Sequence, residues 1–262
     1  MTDNVLLNID ERGIATVTLN RPEKHNAFDD VIIAELTEAF LAVENNPEVR
    51  AMILASNGKN FSAGGDLAWM KRMANYSYDE NLRDANALAT MLHTLNFMTK
   101  PTIARVQGAA FGGAVGLVSC CDMAVATERA SFSLSEVKIG LLPATISPYV
   151  VAAIGQRTSR RYFLTAERFK ADTALQLGLV SEVVDETALD DTIEQLIAAL
   201  LGNSPAGIKA SKKLIFDVSN RDIDEQLMGT TSERIAAIRV SDEGQEGLTA
   251  FLEKRSPSWI QN

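Results

Sequence analysis

Residues 107–116 read QGAAFGGAVG, and residues 61–67 read FSAGGDL. Each of these glycine-rich segments follows a short apolar run that predicts a buried strand, at 51–55 and at 102–106, and each leads into a helical pattern. Glycine permits positive φ and close approach of a ligand, and a helix N-terminus directs unpaired N–H groups outward. Two such turns can direct two N–H groups at one oxygen, as in an oxyanion hole, where one donor contributes about 2.7–4 kcal/mol to transition-state stabilisation. The spacing alone favours a plainer interpretation, two tight turns in which glycine allows close packing.

Strand and helix patterns alternate outward from these segments through the first two thirds of the chain. Gly13 separates β-rich runs at 5–9 and 14–19 and predicts a hairpin. Apolar residues at helical spacing predict one helix capped by Asp29 or Asp30 and another over 79–99. The sequence beyond Pro148 is mostly helical, apart from a strand predicted at 179–184.

This order of elements predicts an α/β fold with a helical C-terminal part. The turn at Gly202-Asn203-Ser204-Pro205 is the best boundary, so we expect a core with the active site at 1–202 and a helical region at 203–262. The C-terminal helices carry many apolar residues, and a layer of that kind usually packs against another chain. We therefore assign oligomerisation to residues 203–262.

Composition excludes several classes of protein. The 262 residues include 46% apolar and 23% charged residues, which is typical of a globular protein and not of a disordered or fibrous one. The formal net charge of −9 argues against nucleic acid or an anionic membrane as a partner. The apolar stretches at 106–121 and 140–156 are interrupted by glycine and proline and are too short to span a bilayer.

Cysteine and histidine content argues against a disulfide framework and a metal site. The two cysteines, Cys120 and Cys121, are adjacent, and the histidines are His25 and His93. The N-terminus lacks the basic flank and apolar run of a signal peptide. We therefore expect a cytoplasmic protein with reduced cysteines, no metal and no membrane association.

Several segments together resemble the enoyl-CoA hydratase/isomerase (crotonase) family, and the resemblance runs in order along nearly the whole chain. They are FSAGGDL at 61–67, QGAAFGGAVG at 107–116, NRP at 20–22 with Asn26-Ala27, SFSLSE at 131–136, GLLP at 140–143 and EGLTAFLEKR at 246–255. The resemblance implies a spiral of ββα units with a C-terminal helical trimerisation region, in a homotrimer or a homohexamer built as a dimer of trimers. It also implies an acyl-CoA thioester substrate and no separate cofactor, since CoA is part of the substrate.

The family's site residues can be carried over by motif. The N–H groups of Gly65 and Gly113 would hold the thioester oxygen and stabilise an enolate. The residues that would line CoA are Ala27, Ala63, Gly65, Asp66, Leu67, Ala68 and Gly113, with Phe251 and Lys254 reaching it from a neighbouring subunit.

The chain departs from the family pattern at one of two glutamates. Glu136 matches one of them, and its apolar neighbourhood favours partial burial, a raised pKa and a role as the acid/base. The other position, three residues after Gly113, is Gly116. Three outcomes stay open: Glu136 both orients water and protonates the α-carbon, the enzyme is a Δ3,Δ2-enoyl-CoA isomerase, or a polar group of the substrate replaces the missing carboxylate.

Finer similarity leads to a substrate expectation. The segments AFGGAVGL at 110–117, LSEV at 134–137 and ATISPYVV at 144–151 resemble bacterial 3-methylglutaconyl-CoA and γ-carboxygeranoyl-CoA-type hydratases of leucine and acyclic-terpene breakdown. Gly116 would leave space and remove a negative charge, which suits a branched enoyl-CoA with a distal carboxylate. Arg72, Arg83 and Lys138 are candidate cations for that carboxylate.

An RNA-binding or scaffold role is the alternative from another functional class. The excess of acidic residues argues against it.

Overall fold

The computed structural model describes residues 4–260. The chain forms two compact units: a larger one of the described residues up to Met98 with Thr102–Ile193, and a smaller one of Thr99–Pro101 with the described residues from Glu194 onward. The division falls inside a helix, whereas the sequence placed it at the turn after Gly202. A helix that continues through the boundary gives no turn signal in the sequence.

Nine strands form two sheets within residues 4–260. They are β1 (Val5–Ile9), β2 (Ile14–Leu19), β3 (Ala51–Ser56), β4 (Thr102–Val106), β5 (Ala109–Phe111), β6 (Met123–Thr127), β7 (Ser131–Ser133), β8 (Phe169–Lys170) and β9 (Glu182–Val184). The six-stranded sheet has the order β1-β2-β3-β4-β6-β9, and its β2–β3, β3–β4, β4–β6 and β6–β9 pairs are parallel. The three-stranded sheet has the order β5-β7-β8.

Eleven α-helices lie within the same residues. They are α1 (Asp30–Asn45), α2 (Leu67–Met73), α3 (Tyr78–Asn96), α4 (Gly113–Cys120), α5 (Ser147–Ile154), α6 (Gln156–Thr165), α7 (Ala171–Leu177), α8 (Leu189–Leu201), α9 (Pro205–Val218), α10 (Glu225–Arg239) and α11 (Asp242–Glu253). In the larger unit, α1 packs on α3, and α4 packs on both α3 and α5. The core between these layers is apolar, and its largest fully buried side chains include Phe28, Phe40, Phe61 and Phe132.

The longer predicted elements are confirmed. β1 and β2 pair antiparallel around Gly13, whose φ is +80°. The Asp29 carboxylate accepts a hydrogen bond from the Ile32 N–H and begins α1. The sequence patterns did not predict the short strands β5, β7 and β8, because two or three residues carry too little periodicity.

The smaller unit is helical, as the sequence predicted for the C-terminal part. Its chain turn is fixed by polar side chains, since the Glu243 carboxylate accepts hydrogen bonds from Ser204 Oγ at 2.6 Å and from the Ala206 N–H at 3.0 Å. The buried Lys212 Nζ donates to the Lys100 carbonyl at 3.0 Å. Large apolar side chains on α9, α10 and α11 are exposed, among them Ile215, Met228, Ile235 and Leu248.

None of the helices in residues 4–260 has both the length and the apolar character that crossing a bilayer requires.

Candidate active site

Backbone hydrogen bonds hold Gly65 in an isolated parallel bridge to Phe28. The Phe28 N–H donates to the Gly64 carbonyl at 2.9 Å, and the Asp66 N–H donates to the Phe28 carbonyl at 2.9 Å. In a parallel bridge of this kind, the N–H of the central residue points away from its partner. The Gly65 N–H is therefore directed away from Phe28, and it donates no hydrogen bond within residues 4–260.

Gly113 supplies a second N–H group without a partner. It is the first residue of α4, where the N–H groups have no intrahelical acceptor. The preceding Gly112 has φ +55° and ψ −125°, and its own N–H donates to the Ser133 carbonyl at 2.8 Å. Among the described residues, nothing accepts a hydrogen bond from the Gly113 N–H.

The two glycine loops are joined to each other. The Ser62 N–H donates to the Ala109 carbonyl at 3.0 Å, and the Phe111 N–H donates to the Ser62 carbonyl at 3.0 Å. Gly64, with φ +91°, lies so close that a Cβ there would be 2.9 Å from the Phe111 carbonyl oxygen. The structure thus brings the two predicted loops together, and this close approach explains why the first loop needs glycine at position 64.

Phe28 supports both loops, and the sequence analysis did not identify it. Its backbone pairs with Gly65, and its buried ring lies against Gly113, where a Cβ would be 2.4 Å from Phe28 Cζ. The only signal in the sequence is an aromatic residue after Asn26-Ala27. That signal does not reveal a contact with residues far along the chain.

Glu136 lies beside the second loop. It begins a 3-10 turn over Glu136–Ile139, and a Cβ at Gly112 would be 3.2 Å from Glu136 Oε1. Its other carboxylate oxygen is buried and has no hydrogen-bond partner among the described residues. Burial raises the pKa of Glu136 above its ordinary value, as the sequence analysis predicted. A carboxyl group with a buried, unpartnered oxygen beside this loop suits proton transfer.

The space expected at Gly116 is already filled. A Cβ there would be 2.3 Å from Ile146 Cγ2 and 2.8 Å from Ile146 Cβ, with Leu92 Cδ2 at 3.5 Å. Ile146 and Leu92 are both buried. The prediction that Gly116 leaves room for substrate is therefore wrong, because Ile146 from the segment before α5 occupies that room.

The first glycine loop exposes a short strip of backbone. Ala63, Gly65, Leu67 and Ala68 are exposed, and Leu67 has 75% of its surface accessible. Ala27 is buried beside the loop, and the His25 carbonyl in the same turn accepts from the Ala63 N–H at 2.9 Å. These residues share one region of the larger unit, as their assignment to CoA binding requires.

Asp66 differs from its neighbours in this strip because it is buried and caps α2. Its carboxylate accepts from the Ala68 N–H at 2.8 Å and the Trp69 N–H at 3.2 Å, and it pairs with Arg21 and Lys24, each at 3.3 Å. Burial favours a higher pKa, but these hydrogen bonds and Lys24 hold the pKa of Asp66 below its ordinary value. The Asp66 side chain thus fixes the loop.

Comparison with known proteins shows the family of this chain. A family model described as enoyl-CoA hydratase/isomerase matches residues 10–262. The chain belongs to the enoyl-CoA hydratase/isomerase family. It is 32% identical to a short-chain-enoyl-CoA hydratase of Clostridium acetobutylicum, covering 99% of this chain and 98% of that protein. It is 30% identical to a crotonyl-CoA hydratase of Syntrophomonas wolfei, covering 98% of each.

A solved structure supports the fold of this family member. The crystal structure of an enoyl-CoA hydratase from Shewanella pealeana superposes with a TM-score of 0.95 at 51% identity, covering 98% of this chain and 96% of that one. The predicted family and its α/β crotonase fold are therefore confirmed.

The predicted cations of this hydratase/isomerase chain lie on exposed surfaces. Arg72, on α2, forms an ion pair with Asp30, so its charge is already matched. Arg83 lies on α3, and Lys138 follows Glu136 in the same 3-10 turn.

Within the described part of the chain, no group of three His, Cys, Asp or Glu side chains could hold a metal ion.

Phe251 and Lys254 lie in the smaller unit. Phe251, on α11, has 82% of its surface exposed, and Lys254 ends this helix with φ +56°. Their contact with CoA in a neighbouring subunit stays a prediction.

Proposed function

We propose that this chain is an enoyl-CoA hydratase that adds water across the C2=C3 bond of an enoyl-CoA thioester, with Glu136 as its acid/base. The observation that carries the proposal is the position of Glu136 beside the second glycine loop, with one buried carboxylate oxygen that has no partner among the described residues. Gly113 in this loop and Gly65 in the loop joined to it have unpartnered N–H groups.

The Gly65 and Gly113 N–H groups bind the thioester oxygen and draw electrons from the C2=C3 bond. Donors fixed by the fold stabilise the enolate charge without reorganisation, and each is worth about 2.7–4 kcal/mol. Glu136 takes a proton from water as the oxygen bonds to C3. The C2=C3 electrons then form the enolate, and Glu136 returns the proton to C2. The raised pKa of Glu136 favours the uptake of the proton from water.

The substrate we propose is 3-methylglutaconyl-CoA. Its support is the absence of a carboxylate at Gly116, a position that the buried side chain of Ile146 closes. A carboxylated acyl chain avoids repulsion from a second carboxylate in a dry pocket. The distal carboxylate of the substrate can then accept a hydrogen bond from the water. Lys138 is the candidate to pair with that carboxylate, since it shares the turn with Glu136.

A Δ3,Δ2-enoyl-CoA isomerase is the second candidate. One carboxylate is sufficient to move a proton between C4 and C2, and that reaction needs no bound water. The observation that favours it is the glycine at position 116, where the buried Ile146 leaves no room for a second carboxylate.

We also propose a homotrimer or homohexamer, assembled through the smaller unit. Exposed large apolar side chains on α9, α10 and α11 support it, because groups of exposed apolar side chains mark surfaces that pack on another chain.

The test compares kcat/KM of the purified protein on 3-methylglutaconyl-CoA and on crotonyl-CoA, with products identified by mass. We expect a hydrated product and a preference for 3-methylglutaconyl-CoA. A preference for crotonyl-CoA would contradict the carboxylate argument. Conversion of a 3-enoyl-CoA to the 2-enoyl-CoA with no hydrated product would select the isomerase.

A further inference from the structure

Trp69 is the one buried side chain of α2, a helix whose residues the structure describes in full. It is 5% exposed and belongs to the apolar core, whereas Leu67 and Ala68 before it are exposed. A helix of seven residues gains little stability on its own and depends on packing against the rest of the protein. Trp69 is therefore the side chain that attaches α2, and with it the end of the first glycine loop, to the core.

The Trp69 ring lies against Gly65. A Cβ at Gly65 would be 3.6 Å from both Trp69 Cε3 and Trp69 Cζ3, which is ordinary van der Waals contact. The Trp69 backbone N–H also donates to the Asp66 carboxylate at 3.2 Å. Gly65 has no side chain of its own to restrain its peptide group. The bridge to Phe28 and the Trp69 ring therefore both restrain the direction of the Gly65 N–H.

The indole N–H of Trp69 lies near Asp84 on α3. Burial raises the pKa of Asp84, and the Trp69 indole N–H lowers it, as Arg72 does, while Asp30 raises it further. Trp69 Nε1 is buried and makes no complete hydrogen bond among the described residues. A buried N–H beside a carboxyl group favours one orientation of the ring, because a ring turned over would leave the N–H with no acceptor nearby.

We infer that Trp69 is a positioning residue of the oxyanion site: its ring supports Gly65 and keeps the Gly65 N–H directed at the thioester oxygen, and Asp84 holds the ring from α3. This inference rests on the proposed function, which assigns the Gly65 N–H to that oxygen. A misplacement of about 1 Å, caused by a change away from the reacting atoms, can cost about 10²-fold in rate. Trp69 acts through Gly65, so its loss should lower kcat more than it changes the affinity for CoA.

The test measures kcat together with the stretching frequency of the bound thioester carbonyl. A hydrogen bond to a carbonyl oxygen lowers this frequency. Infrared difference spectra of butyryl-CoA, isotope-labelled at the thioester carbonyl and unable to be hydrated, therefore report the oxyanion donors directly. Trp69→Leu should lower kcat by about 10²-fold and move the carbonyl frequency toward that of free butyryl-CoA. Trp69→Phe keeps an aromatic ring at this position and should restore most of both.

Two further variants complete the test. Lys71→Gln, at an exposed position of the same helix, is the matched control and should change neither kcat nor the carbonyl frequency. Asp84→Leu should change both in the same direction as Trp69→Leu, but by less. It leaves Trp69 in place and keeps the inference testable if Trp69→Leu does not fold. Circular dichroism and thermal melting check the fold of each variant.

The outcomes separate this inference from the proposed function. A wild-type protein whose bound thioester has the frequency of the free thioester overturns the proposed oxyanion site and the inference together. A lowered frequency in the wild type that is unchanged in folded Trp69→Leu overturns only the inference. A rise in KM for Trp69→Leu with unchanged kcat and frequency also overturns it, because Trp69 would then act in binding alone. Unchanged kcat and frequency in Asp84→Leu would overturn the part assigned to Asp84.

Discussion

Glu136→Gln removes the acid/base and keeps the size of the side chain. A general acid/base contributes about 10²–10⁴-fold to rate, so kcat should fall by that factor, which corresponds to about 2.7–5.4 kcal/mol in the barrier. The affinity for CoA should not change, because Glu136 is not among the proposed CoA contacts.

The same variant tests the environment of the carboxylate through stability. Burial raises the pKa of Glu136 in the folded protein, so its favourable contribution to stability is complete below the ordinary pKa and is lost as pH rises through the raised pKa. Above that raised pKa, the wild type carries a charged carboxylate with one buried, unpartnered oxygen, which glutamine lacks. Glu136→Gln should be the more stable protein in that pH range, and this advantage should shrink as the solution is acidified.

The assay combines steady-state hydration kinetics, CoA titration and denaturant unfolding at several pH values. Glu11→Gln, in the exposed turn between β1 and β2, is the matched control and should change none of them. The reasoning is refuted if Glu136→Gln turns over at the wild-type rate. A Glu136→Gln protein that is less stable than wild type at neutral pH would show that the carboxylate is paired after all.

Three further perturbations test other parts of the account. Gly113→Pro removes one donor N–H and should raise the activation barrier by about 2.7–4 kcal/mol in kinetic assays. Gly113→Ala places a Cβ against Phe28 in the same way but keeps the N–H, so it should lose less activity. Equal losses of activity in the two variants would argue against the Gly113 N–H as a donor. Asp66→Ala should lower the free energy of unfolding by about 1 kcal/mol or more, because α2 loses its cap. The difference in stability from wild type should fade as pH drops through the lowered pKa of Asp66. An unchanged denaturation midpoint would exclude this role of Asp66. The double variant Phe251→Ser/Lys254→Gly should weaken CoA binding in a titration while its circular dichroism spectrum stays that of the wild type. Glycine suits position 254, where the backbone is left-handed. An unchanged affinity for CoA would exclude both residues from the CoA site.

The sequence was sufficient for features that depend on local pattern. Gly13 predicted the hairpin, and Asp29 predicted the start of α1. That the two glycine loops and Glu136 form the active site stays a prediction. The structure adds the contacts that join distant segments, namely the Phe28–Gly65 bridge and the hydrogen bonds between Ser62 and β5. Such pairings have no periodicity in the sequence.

Packing explains why Gly116 alone predicts the wrong environment. A glycine in the sequence suggests an empty space when the neighbours in the fold are unknown. Ile146, which is far along the chain but adjacent in the core, fills that space. Similarly, the motif assigns Asp66 to CoA binding together with its exposed neighbours, although its side chain is buried. The sequence does not show which residues of a loop face inward.

The most direct test of the central claim is a crystal structure of the protein with the 3-hydroxyacyl-CoA product bound. The account predicts that the thioester oxygen lies about 2.7–3.1 Å from both the Gly65 and Gly113 nitrogens. It also predicts that the Glu136 carboxylate lies within about 2.6–3.2 Å of the product hydroxyl. A thioester oxygen bound by other groups, or a Glu136 side chain directed away from the product, would contradict it.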